Sequence, residues 1–263
     1  MTTTSYLLEE GSDVLVAEVF GDGEPSEDSP GAESIGDTAR GLWLGYASLM
    51  SWGFPPQGDP RSLWRYHEFD CQMNGGPLGC QTWAQVGVDL GNARTHSDVQ
   101  PPLPVAPLLT SLEATANQLG DWSFQGAQVV LPLGFQPADY VLSSDAARWF
   151  DHTRAASSGV TMDLMMSFGR HCPPDVDELF DEIVGRRVDA RPVDDIDADP
   201  WPQSLWIRPN GGSGYTATNT RRWHINFTEW SIVAVSWLIT VVTERLASRG
   251  VDHPVAVSLK RRR

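Results

Sequence analysis

Lysine is nearly missing from this chain: among 263 residues and 19 basic side chains, only Lys260 is a lysine. Schiff-base chemistry and phosphate-loop chemistry each need a lysine in a defined setting, so neither is expected. Cysteine is scarce too. Three of them, an odd number, build no disulfide framework in a chain this long. No run of about eighteen apolar residues occurs, so no membrane span is expected. Residues 1–10 carry neither a positive stretch nor an apolar one, so no secretory signal is read there. Reduced thiols and a cytoplasmic location follow as the expectation. Also missing are the Walker-type phosphate loop, the dinucleotide glycine fingerprint, the nucleophile elbow of serine hydrolases and the zinc-protease His-Glu-x-x-His.

What the chain has in excess is acid. Its 34 Asp and Glu against 19 Lys and Arg leave a formal net charge of −15. Phosphate backbones would be repelled, which excludes nucleic acid as a primary partner. The apolar fraction, 41%, is too high for a wholly disordered chain. The acidity is also local. Residues 1–39 hold ten acids and no base, and residues 175–199 hold ten acids against three arginines. The remainder, with 14 acids and 16 bases, is close to neutral. The closing Lys260-Arg261-Arg262-Arg263 reads as a frayed, solvated terminus.

Periodicity outlines the elements. Residues 5–9 and 14–20 read as two short strands of a hairpin, and Gly21 to Ala39 as a flexible acidic loop. Residues 41–100, crowded with Gly, Pro and Trp, yield no clear elements. Beyond them, helices are expected at 107–119, 145–156 and 174–184, and strands at 128–131 and 160–168. A hairpin is expected over 204–227, and a strand at 255–259. In its second strand Trp223, Ile225 and Phe227 share one face, while Arg222, His224 and Asn226 share the other. A nearly all-apolar helix spans about 228–248, capped by Asn226 with Glu229 and stopped by Gly250. The fold class is α+β, a mixed sheet with packed helices. A flexible acidic segment, 1–39, precedes one globular domain, 40–263, and no internal repeat is visible.

Four constellations bear on chemistry. His67, Cys71 and Cys80 are candidate zinc ligands, although their spacing matches no standard module; ordinary buried thiols compete with that reading, and Cys71 and Cys80 could also bridge. Glu68 and Asp70 would share a strand face about 7 Å apart, a separation open to paired acid–base work as well as to two solvated carboxylates. Asp194, Asp195, Asp197 and Asp199 resemble a calcium loop in their alternation but lack its glycine and closing glutamate, so an exposed acidic loop is preferred. His224, beside Arg221, Arg222 and Asn226, is an acid–base or anion-binding candidate if its face lines a cleft.

Eleven tryptophans are the other outlier. Several sit in Pro/Gly-rich loops, where exposed rings anchor interfaces. Together these features favour a non-catalytic, immunity-protein-like binding or adaptor protein without cofactor. It would hold a basic protein partner through Asp22, Glu24, Glu27, Asp28, Asp194, Asp195, Asp197, Asp199 and Trp201. One alternative is a hydrolase or transferase in which Glu68, Asp70 or Asp163 converges with His224. Another is a structural subunit with an apolar patch around residues 41–56.

Overall fold

A computed structural model describes residues 14–25, 35–49, 65–73, 82–91, 102–135, 159–168, 171–179, 189–193, 219–227 and 229–262. The side chains of residues 24, 25, 65, 67, 68, 70, 72, 73, 82, 83 and 189 fall outside that description.

The elements run β1 Val14–Pro25, α1 Ile35–Leu49, β2 Arg65–Met73, β3 Thr82–Asp89, α2 Val105–Leu119, β4 Gly120–Pro132, β5 Val160–Ser167, β6 Asp189–Pro192, β7 Thr220–Phe227, α3 Ile232–Ser248 and β8 Pro254–Arg261. All eight strands form one sheet in the order β2-β3-β1-β4-β8-β5-β7-β6, and every pairing is antiparallel. This is the α+β class that the periodicities indicated.

The sheet contains a duplication that the sequence conceals. Read outward from its centre, the first half runs β4-β1-β3-β2 and the second runs β8-β5-β7-β6. The chain position of each strand within its half is the same. The first half is a split β-α-β unit, β1-α1-β2-β3-α2-β4, of the ferredoxin-like kind. In the second half α3 again precedes the central strand. Its β5–β6 connection is described over 171–179, where a turn at Pro174–Asp177 leads into Glu178 and Leu179, with Val176 and Leu179 buried. The halves meet where β4 pairs with β8, Val129 opposite Val257. The expectation of no repeat is therefore corrected. What repeats is strand order, and strand lengths and residue types differ too much for a residue-level signal.

Helices cover one face. α1 buries Ile35, Ala39, Trp43 and Ala47, an every-fourth stripe too narrow to stand out against Gly36, Gly41 and Gly45. Trp43 anchors it: the ring stacks on Phe69 with centroids 5.7 Å apart. Its Nε1 donates to Ser111 Oγ of α2 at 3.0 Å. A buried indole N–H without a partner would be costly, so this bond fixes α1 against α2. α2 turns Val105, Leu108, Leu109 and Leu112 onto the sheet. α3 buries 13 of its 17 residues, in line with its apolar sequence.

The boundaries of α3 correct one expectation. Its N-cap is Ser231, whose Oγ accepts from Ala234 N–H at 3.1 Å, and not Asn226, which still pairs within β7. The far end follows the sequence. Gly250 has φ +80, its N–H donates to Ala247 O, and Val251 N–H donates to Leu246 O. That is the Schellman arrangement, which needs a left-handed residue at this point.

The N-terminal expectations change more. Residues 14–25 form no local hairpin; they run between β3 and β4, both far away in sequence. Gly21 to Pro25 belongs to this strand and Ile35 to Ala39 opens α1, so only part of the expected loop is left, outside the described residues. At Gly21, beside a bulge, a Cβ would overlap the Trp122 ring, which explains glycine there. The unassigned stretch 41–100 contains two strands and most of α1. The expected helix at 145–156 and strands at 5–9 and 204–209 lie outside the described residues.

Candidate functional site

The face of the sheet away from the helices carries the polar residues. Strand alternation places Val16, Glu18 and Phe20 of β1 there, opposite the helix-facing Leu15, Ala17 and Val19. From Glu18 a row of directly opposed residues crosses the sheet. Glu18 faces Gln85 on β3 and Gln128 on β4. Gln128 faces Ser258, Ser258 faces Met165, and Met165 faces Arg222. Every polar member of this row is buried, Glu18 to 1% exposure. Gln128 Nε2 donates to Ser258 Oγ at 2.6 Å, a bond across the junction of the halves. Gln85 Oε1 and Gln128 Oε1 find no hydrogen-bond partner among the described residues.

One step from this row, on the second half, is the only described cluster in which acid, imidazole and guanidinium meet. Asp163 on β5 is 3% exposed and faces His224 on β7 and Lys260 on β8. His224 Nδ1 lies 2.5 Å from Asp163 Oδ1. Arg222 Nη2 donates to Asp163 Oδ2 at 3.2 Å. Arg262 Nε stands 3.9 Å from Oδ1. The next rung along, Thr161 Oγ1 donates to Asn226 Oδ1 at 3.1 Å. β6 sets Arg191 opposite His224 on its other side.

The imidazole is oriented by chemistry as well as distance. An ionised carboxylate only accepts, so a hydrogen bond to Asp163 requires the proton on Nδ1. In the neutral ring Nε2 then holds the lone pair. His224 is 32% exposed, and Nε2 has no partner among the described residues. A buried carboxylate orienting a half-exposed imidazole is the arrangement by which histidine serves as a proton carrier.

The other expected site residues fall elsewhere. Glu68 and Asp70 occupy β2, at register positions opposite Gly87 and Gln85. β2 is five strands from β5, about 24 Å at the usual strand spacing of about 4.8 Å, so neither converges with His224. Cys71 is buried on β2; the His67 side chain and all of Cys80 lie outside the described residues. Among the described residues no group of three or more His, Cys, Asp or Glu could hold a metal ion. Asp22 and Glu24 lie in β1, opposite Ser123 and Asp121. Glu27, Asp28, Asp194, Asp195, Asp197, Asp199 and Trp201 are outside the described residues. Cys172 is a free thiol that burial pushes up, with Asp177 adding to the rise and Arg221 opposing it, so it is no ready thiolate. Of the 41–56 stretch, Trp43 and Ala47 are buried and Leu49 is exposed.

Arg262 was hidden by its place in the sequence. The terminus expected to fray is held: β8 continues through Lys260 to Arg261, and Arg262 N–H donates to Thr161 O at 3.0 Å. Strand pairing therefore carries the basic tail over Asp163.

Comparison with protein-family models and with curated proteins finds no match. Among solved structures, this chain is similar to one titled "Crystal structure of Putative Chlorite dismutase", at 9% identity and TM-score 0.24, over 96% of each chain. That title is an enzyme's, but at this TM-score the likeness carries neither fold nor function across.

The expectation of a non-catalytic, immunity-protein-like binder for a basic partner is corrected. Of the residues it named, Asp22 and Glu24 are strand residues of β1, opposite Ser123 and Asp121, and the others lie outside the described residues. Among the described residues, the polar cluster at His224 sets Lys260 and Arg262 beside the imidazole, the wrong sign for a basic partner. No helix among the described residues is long and apolar enough to cross a membrane.

Proposed function

We propose that the chain is an acid–base catalyst of hydrolysis or group transfer, with His224 as the proton carrier and Asp163 as its positioning residue. The observation that carries this is the 2.5 Å contact between His224 Nδ1 and a carboxylate almost wholly removed from water. With Nδ1 committed, Nε2 takes a proton from the attacking group and returns it to the leaving group. Among the described residues no serine, threonine or cysteine is bonded to that nitrogen, and Thr161 is engaged by Asn226. Water or a substrate hydroxyl is thus the nucleophile: Nε2 accepts its hydrogen as its oxygen attacks, and the imidazolium then protonates the departing oxygen. Arg222 keeps the buried Asp163 charge paired, so the carboxylate holds its position throughout. The free thiol of Cys172 supports a reducing, cytoplasmic setting for this chemistry.

The test is the tautomer. Nitrogen-15 NMR of the full chain should show the His224 ring protonated at Nδ1, with that proton far downfield. Asp163→Asn should release this preference. A ring protonated at Nε2 in the unmodified chain sinks the proposal. On any ester turned over, His224→Gln should lower kcat by about 100-fold or more, the usual weight of a positioned acid–base group.

A further inference from the structure

We infer that the substrate of this site carries an oxyanion, phosphate or carboxylate, held by Arg262. The inference rests on the acid–base reading for its location, but on different residues and a different observation: the sign of the charge around His224.

The chain as a whole carries −15, but outside residues 1–39 and 175–199 it holds 14 acids and 16 bases. Around His224 the described charged side chains are mostly basic. Strand pairing brings Arg191 to one side of the imidazole and Asp163 to the other, with Lys260 beyond. Arg222 and Arg262 approach the same carboxylate from neighbouring positions. Four permanent positive charges thus surround one described carboxylate.

The members of this patch are not equivalent. Arg222 is buried, and its Nη2 is taken by Asp163 Oδ2. Oδ1 of the same carboxylate is taken by His224. Arg262, 44% exposed, comes no nearer than 3.9 Å, beyond hydrogen-bond reach. Its guanidinium fork therefore remains available beside His224, tethered by the backbone bond from Arg262 N–H to Thr161 O. A planar fork with several donors matches a carboxylate or phosphate in a two-point grip, which a lone ammonium cannot reproduce.

The test uses inorganic phosphate and acetate as probes on the full chain, at constant ionic strength in chloride. The His224 ring signals should move in a saturable way with at least one of the two, and which one saturates tells phosphate from carboxylate recognition. Arg262→Ala should weaken that binding by about tenfold, the loss of one charge-assisted pair. Arg262→Lys should recover only part of it. Arg40→Ala, which removes an exposed charge from α1 on the other side of the sheet, should leave it unchanged. Because Arg262 is largely solvated, these variants should fold, and circular dichroism checks that they do. If neither probe saturates, or if Arg40→Ala matches Arg262→Ala, the inference is overturned. His224→Gln separates the two proposals. An oxyanion site held by Arg262 keeps its phosphate or acetate affinity within a few-fold in that variant, read on the Arg262 side-chain signals, even where the tautomer test has failed.

Discussion

The two halves of the sheet share a strand order and differ in what they set on the open face. In the first half the buried row is Gln85, Glu18 and Gln128, mostly neutral amides. In the second, buried Arg222 and Asp163 meet the half-exposed His224, a cluster whose carboxylate contacts both other members. Two copies of one topology have thus been given different dielectric problems. A buried amide with an incomplete set of partners costs about 1–3 kcal/mol, and an unpaired buried carboxylate costs more. Both halves therefore bury a carboxylate, Glu18 among amides in the first and Asp163 against a guanidinium and an imidazole in the second. Such a group at a concave or half-exposed position is what a site requires.

This contrast can be broken, and the largest expected effect is in the second half. Asp163→Ala strands the Arg222 guanidinium in a buried place, and should cost about 3–5 kcal/mol in urea unfolding. If the loss is under about 1 kcal/mol, well below the usual cost of an unpaired buried charge, the cluster is wetter than its burial states. At the junction, Gln128→Ala removes the bond to buried Ser258 and should cost about 1–2 kcal/mol. In the first half the sign should reverse. Gln85→Leu replaces an amide whose Oε1 lacks a described partner, and should leave the midpoint unchanged or raise it by about 1 kcal/mol. A loss of stability there would mean that the first half is as polar-dependent as the second.

The smallest effect lies in the helix layer common to both halves. Burial raises the Glu113 carboxyl on α2 above its ordinary value. A raised carboxyl binds more protons folded than unfolded. Its charged form therefore costs stability above the folded pKa, and that cost disappears as the pH falls below the unfolded one. Glu113 is only half-buried, so solvent screens most of this. Glu113→Gln should raise Tm slightly at pH 7 and not at pH 4; an equal rise at both would rule out the charge as the cause.

Legibility followed the range of the signal. α3 was readable because its apolar residues and its Gly250 stop are local. Val160–Ser167 and Thr220–Phe227 were readable by alternation, and with them the polar placement of His224. α1 was not, because its contact with the sheet is a single stripe of four residues in a glycine-rich helix. β1 was taken for half of a hairpin because its real partners begin 57 residues or more away, at Thr82 and Gly120. Asp163 was readable as a strand acid, but nothing local ties it to residue 224.

The sequence by itself determined the α+β class, the most buried helix, the end of that helix and the two faces of β7, because each is a matter of neighbours within a few residues. Only the tertiary structure decided that the strands repeat in order, that the acidic Glu18 lies in the middle of a sheet, and that Asp163, His224 and Arg262 stand together. Antiparallel pairing joins residues 61 and 99 positions apart at one carboxylate. In a chain of net charge −15, the charged side chains described about Asp163 are mostly basic.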